Sequence, residues 1–209
     1  MTNNKQIIFL HGWGLDKNSF DDLAGQLPNY NKIIIDLPGF GPTELPKRPW
    51  GTLDYANYVK NTFIKEKSVL LGYSFGGKTA IKIAANYPEL VSKIILISSA
   101  GLRKKISLKR LIRRFFKKSS QDYKNAGALK PILSRIVRED LTQDLKKIKC
   151  PVLLLWGESD NQTPLWMAKK MTKLIKNSQL IVLPSIDHYS ILSLGSHQIV
   201  YQIKRFLRS

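Results

Sequence analysis

Six short apolar runs recur along the chain without polar alternation: Gln6–Leu10, Lys32–Asp36, Ser68–Gly72, Lys93–Ser98, Val152–Trp156 and Leu180–Leu183. A strand with one wet face alternates apolar and polar residues, whereas a strand covered on both faces has no reason to. These runs predict buried parallel strands. Between them, helical periodicity marks Asn18–Leu27, Thr52–Lys65, Phe75–Asn86, Leu165–Ile175 and His197–Leu207. Parallel neighbours require long crossovers, and helices supply them. The expected fold class is α/β, a doubly wound, mostly parallel six-stranded sheet. With 209 residues and 43% of them hydrophobic, the chain can close one core, so a single domain over 1–209 is expected.

The rhythm breaks between Ser98 and Val152, where an insertion forming a lid or cap over about 102–146 is expected. Leu108, Leu111, Ile112, Phe115 and Phe116 fall at i, i+3, i+4, i+7 and i+8, the apolar stripe of an amphipathic helix over Ser107–Lys118. Its other face is basic, with Lys109, Arg110, Arg113, Arg114, Lys117 and Lys118 and no intervening acid. A second stretch, Pro131–Leu145, reads as another helix or two. The whole chain carries 34 Lys and Arg against 15 Asp and Glu, a formal charge of +19. Such an excess favours acidic partners without choosing among them.

No apolar run approaches the roughly 18–20 residues of a membrane span, and Ile7–Leu10 is too short for a signal-peptide core. A cytoplasmic protein is expected. One cysteine, Cys150, excludes an internal disulfide and multi-cysteine metal patterns, and His11, His188 and His197 are too scattered to suggest zinc. The chemistry is expected to use side chains alone, with no metal and no cofactor.

Directly after the third predicted strand stands Gly72-Tyr73-Ser74-Phe75-Gly76-Gly77, followed by a good helix. A serine raised on a strained strand-to-helix turn needs neighbours without side chains, and the helix N-terminus beyond it supplies N–H groups. Ser74 is therefore the candidate nucleophile; its plainer alternative is a cap of the following helix. A serine nucleophile needs a base and a carboxylate to orient that base. Gly157-Glu158-Ser159-Asp160 follows the fifth strand and Asp187-His188-Tyr189 the sixth, so both loops leave the same sheet edge as Ser74. Asp160 is preferred as the acid over Glu158, with Asp187 third, because its loop length lets it reach inward before Pro164 starts the next helix. His188 is preferred as the base over His197, which lies within the last helix. Two N–H groups are needed for an oxyanion: Phe75 can give one, and the turn His11-Gly12-Trp13-Gly14 the other, from Trp13. His11 is assigned to hydrogen bonds that hold its loop.

Together, His11-Gly12-Trp13-Gly14, Asp36-Leu37-Pro38-Gly39-Phe40-Gly41, Gly72-Tyr73-Ser74-Phe75-Gly76-Gly77, Gly157 with Asp160, and Asp187-His188 resemble the α/β-hydrolase superfamily over nearly the whole chain. The wording of the first two motifs is most similar to the carboxylesterase branch that includes pimeloyl-carrier-protein methyl ester esterases. That resemblance implies a Ser74, Asp160, His188 triad, oxyanion donors at Trp13 and Phe75, ester or thioester substrates and no cofactor. In most members two further strands precede the His-Gly turn, whereas five residues precede Gln6 here. The inserted lid is also shorter and more basic than is usual in that family. Serine at position 74 argues against the aspartate-nucleophile chemistry of haloalkane dehalogenases and epoxide hydrolases.

The leading expectation is a serine hydrolase of small acyl esters or thioesters. A second reading is a C–C bond hydrolase of ring-cleavage products using the same triad. A third, of a different class, is a binding module whose basic helix rests on an anionic lipid surface or an acidic partner. The lid bases are also suited to steering an acidic carrier protein toward Ser74. Nucleic acid is the least favoured partner, because no aromatic-interleaved basic stripe accompanies the charge.

Overall fold

The computed structural model describes residues 6–103 and 127–209. The basic helix expected over Ser107–Lys118 lies outside them. Among the described residues, six strands form one sheet in the order β2-β1-β3-β4-β5-β6, and every neighbouring pair is parallel. They are β1 (Gln6–Leu10), β2 (Asn31–Ile35), β3 (Ser68–Tyr73), β4 (Val91–Ile97), β5 (Val152–Gly157) and β6 (Ser178–Leu183).

The interior strands β1, β3 and β5 are buried at every residue, as their unbroken apolar sequences require. Their side chains alternate between two separate cores. Ile8 and Leu10, Leu70, and Leu154 with Trp156 face one; Ile7 and Phe9, Val69 with Leu71, and Leu153 with Leu155 face the other. The first core is closed by α2 (Thr52–Phe63), α3 (Phe75–Asn86), α4 (Lys130–Ile136), α5 (Thr142–Lys147) and α6 (Leu165–Leu174). The second is closed by α1 (Asp21–Gly25) and α7 (Ser196–Arg208), through Leu23, Ile199, Ile203 and Leu207. Each fully buried aliphatic side chain contributes on the order of 1.5–3 kcal/mol, so two apolar faces are what make a parallel sheet stable.

The return of the β4–β5 connection is fastened to this frame. Lys78 on α3 is buried and donates from Nζ to the carbonyls of Ile136 and Glu139, which close the end of α4. Burial pushes its ammonium down to about 8, against the pull of the Glu139 carboxylate. That carboxylate in turn accepts the Thr52 N–H at the start of α2, at 3.1 Å. The strand order reverses direction between β1 and β3, and a crevice opens outside the carboxyl ends of the strands at such a point.

Candidate active site

Ser74 sits between β3 and α3 with φ 50° and ψ −108°, a conformation that few non-glycine residues adopt. The surroundings hold it there. Ser74 N–H donates to the Ile97 carbonyl at 3.0 Å, and the Ala100 N–H donates to the Ser74 carbonyl at 2.9 Å, so the end of β4 clamps both sides of the residue. The helix must also start very close to the strand it leaves. A Cβ on Gly72 would stand 2.5 Å from the Gly76 carbonyl oxygen, and one on Gly76 would overlap the backbone of Leu10. These two glycines are required by close approach. The capping role weighed for Ser74 is not what its side chain does, since Oγ makes no cap bond to α3.

Instead Ser74 Oγ lies 3.1 Å from His188 Nε2, and His188 Nδ1 lies 2.8 Å from Asp160 Oδ2. The three residues named from sequence thus form one hydrogen-bonded chain across the loops after β3, β5 and β6. Asp160 is 3% exposed and His188 7% exposed, whereas Ser74 is half-buried. Burial would raise the Asp160 carboxyl, but bonds from His188 and Thr163 outweigh it and hold the group below the usual carboxylate range. An ionised Asp160 only accepts, so the Nδ1 proton of His188 points at it and Nε2 is left bare toward the serine hydroxyl. This arrangement can remove a proton from Ser74 Oγ and stabilise the imidazolium that results.

The sequence did not single out Thr163. Asp160 Oδ1 accepts the N–H groups of Gln162 at 2.9 Å and Thr163 at 2.8 Å. The Thr163 hydroxyl stands 2.8 Å from Asp160 Oδ2 and 3.0 Å from the Ser98 carbonyl, one proton between two acceptors. Trp156 Nε1–H donates to the Thr163 carbonyl at 2.6 Å from a fully buried ring, fixing the far end of the loop. An aspartate with a hydroxyl residue three positions on is a turn pattern, and that was the available signal.

The competing residues lie elsewhere. Glu158 is exposed. Asp187 Oδ1 accepts the N–H groups of Tyr189 and Ser190 and the Ser190 hydroxyl, closing the turn that carries His188. His197 lies on α7 in a shallow groove with Tyr201 and Ile181. His11 is fully buried: Nδ1 donates to the Gly12 carbonyl at 2.7 Å and Nε2 accepts the Leu37 N–H at 3.0 Å, which ties the β1 turn to the β2 turn. Burial pushes its imidazole toward the neutral form, as that double role demands. Trp13 and Phe75 are brought together, with ring centroids 5.6 Å apart, and Phe40 lies 5.0 Å from Trp13. Their rings form an apolar wall beside the serine turn. Among the described residues no cluster of His, Cys, Asp or Glu could hold a metal, and no helix is long and apolar enough to cross a membrane.

A six-stranded parallel sheet with a strained serine at its carboxyl edge defines an α/β-hydrolase architecture. The sequence profile described as alpha/beta hydrolase fold matches residues 5–126, and one described as TAP-like protein matches 135–209. The chain belongs to the alpha/beta hydrolase family. It is 32% identical to the AB hydrolase superfamily protein YisY of Bacillus subtilis, over 89% of this chain and 85% of that one. It is 28% identical to the pimeloyl-[acyl-carrier protein] methyl ester esterase of Wigglesworthia glossinidia brevipalpis, over 96% and 94%. Among solved structures, the lipase-esterase related protein of Clostridium acetobutylicum superposes with a TM-score of 0.82 over 99% of this chain and 96% of that one, at 21% identity. At that identity the likeness is one of fold.

Proposed function

We propose that this chain is a serine esterase that cleaves carboxylic esters or thioesters through an acyl-enzyme. The observation that carries the reading is the unbroken hydrogen-bond chain from Ser74 Oγ through His188 to Asp160. In this reading Ser74 Oγ attacks the carbonyl carbon while His188 Nε2 takes the hydroxyl proton, and Asp160 stabilises the imidazolium. The backbone N–H groups of Phe75 and Trp13 receive the oxyanion. Collapse of the tetrahedral species expels the alcohol or thiol, which leaves with the proton from His188. Water then gives a proton to His188, attacks the acyl-serine, and releases the acid and the free Ser74 hydroxyl. A binding module would have no use for a strained serine aligned on a buried imidazole and carboxylate.

For the substrate, the relatives named as pimeloyl-[acyl-carrier protein] methyl ester esterases support an acyl chain ending in a methyl ester and carried on an acyl-carrier protein. The net charge of +19 suits a carrier of acidic surface. The test compares hydrolysis of that carrier-linked methyl ester with the free methyl ester, in wild type and Ser74→Ala, at low and moderate salt. The proposal expects activity lost in Ser74→Ala, and a kcat/KM on the carrier-linked ester that falls steeply with salt while the free ester is indifferent. Equal, salt-independent rates on the two esters would reject the carrier, and wild-type rates in Ser74→Ala would reject the esterase mechanism.

A further inference from the structure

We infer that Tyr73 is the positioning residue of the base: its hydroxyl holds the backbone of His188, and through it the imidazole, over the serine that follows Tyr73 in the chain. The inference rests on the proposed roles of Ser74 and His188. Tyr73 ends β3, pairs with Ile97, and points into the core closed by α1 and α7, on the same side as Val69 and Leu71. It is 3% exposed, and its ring fills the space beside Gly12, where a Cβ would stand 2.8 Å from Cδ1. From there the hydroxyl donates to the His188 carbonyl at 2.7 Å, and the ring lies 5.2 Å from the imidazole at an interplanar angle of 32°.

The two partners differ in how firmly their backbones are set. Tyr73 stands in a strand paired on both sides, and an aromatic side chain has only two rotatable bonds, so the sheet dictates where its hydroxyl lies. His188 stands in an irregular loop whose Ser185 has φ 58°. That loop is tied at Ile186, whose carbonyl accepts the Ser159 N–H at 3.0 Å, and at the Asp187 turn. The bond from Tyr73 fixes the carbonyl of the base residue itself. Without it that peptide keeps the bond from the Tyr189 N–H to Asp187 Oδ1 but loses its tie to the sheet, and the 3.1 Å contact between Nε2 and Ser74 Oγ is exposed to the resulting shift. One residue therefore sets both partners: its backbone leads into the nucleophile, and its side chain places the base. Phenylalanine would fill the same volume and keep the ring contact, so the hydroxyl alone is at stake.

The experiment uses the full chain as wild type, Tyr73→Phe and Ser74→Ala, with p-nitrophenyl acetate as the probe ester. Measured are kcat, KM and the thermal midpoint. Tyr73→Phe is expected to lower kcat about tenfold, the scale of one lost hydrogen bond expressed as a rate. KM should stay within about twofold of wild type, because the bond concerns alignment and not substrate binding. A Tyr73→Phe enzyme with wild-type kcat beside an inactive Ser74→Ala overturns the role of Tyr73 alone, whatever the midpoint does. A loss seen only as a raised KM also overturns it. Wild-type activity in Ser74→Ala overturns the nucleophile reading, and this inference with it.

Discussion

Replacing Asp160 by asparagine should remove most activity while leaving the protein folded, and the magnitude follows from the bonds around the carboxylate. Oδ1 accepts two backbone N–H groups, from Gln162 and Thr163, while Oδ2 faces His188 Nδ1 at 2.8 Å. An asparagine with its NH2 at the Oδ1 position would leave both backbone donors without an acceptor, at about 1–3 kcal/mol each. The opposite orientation keeps them satisfied and is favoured by roughly 2–6 kcal/mol. It turns the NH2 toward Nδ1, which must then be the bare nitrogen of the ring. The proton moves to Nε2, and the imidazole can no longer take one from Ser74. Loss of the correct tautomer in a serine triad lowers kcat by about 10⁴, equivalent to roughly 5.5 kcal/mol of transition-state stabilisation. The assay is kcat on p-nitrophenyl acetate, with a thermal melt to verify folding. Glu158→Gln, at an exposed position, should stay within about twofold in the same assay. A folded Asp160→Asn enzyme within tenfold of wild type, or a comparable loss in Glu158→Gln, would refute the reasoning.

Because the Asp160 carboxyl is held below the usual carboxylate range, its contribution to stability is present above that range and is lost as pH falls through its folded value. Denaturant midpoints of Asp160→Asn should therefore decline less steeply below pH 4 than those of wild type, and parallel curves would remove the claim. Lys78 has the opposite sign: a lysine lowered from 10.5 to about 8 makes the folded state less stable while charged, and the deficit is relieved as pH rises from 8 to 10.5. The stability of wild type relative to Lys78→Met should grow by about 3 kcal/mol over that interval, at 1.36 kcal/mol for each pH unit; a flat difference would contradict the assignment. Gly76→Ala places a methyl group into the Leu10 backbone, which cannot move without breaking β1 from α3. It should cost at least about 3 kcal/mol, read as a large drop in thermal midpoint, and a near-wild-type midpoint would show that the turn has room.

Much of the fold is legible because burial on two faces writes itself into the sequence. The ranges of β1 and α3 follow from the apolar runs and the glycine pair alone. The edge strands begin earlier than hydrophobicity indicates, at Asn31 and Ser178, because edge positions tolerate polar residues that carry no periodic signal. The expected helix over Asn18–Leu27 is a 3-10 turn at Lys17–Phe20 followed by α1, where the Asp16 side chain accepts the Asn18 N–H and starts a tighter coil. The stretch Pro131–Leu145 resolves into two helices, separated where the Asp140 carboxylate accepts the N–H groups of Arg103 and Thr142. Ser74, Asp160 and His188 converge as their loops predicted, since a parallel sheet puts all strand exits on one edge. Tyr73 was not legible: its contribution is a hydroxyl placed by packing against a loop distant in sequence, and no local pattern records that distance. Thr163 leaves a local trace, the aspartate-to-hydroxyl spacing of a turn, but that spacing does not show that the hydroxyl also reaches the Ser98 carbonyl.

The central claim is that Ser74 is an activated nucleophile, and the most direct test is the intact mass of the protein after treatment with a fluorophosphonate probe, with Ser74→Ala alongside. Such a probe requires an activated serine but no knowledge of the natural substrate. The account predicts a single adduct on wild type and none on Ser74→Ala. An unmodified wild type, or an adduct that persists in Ser74→Ala, would contradict it.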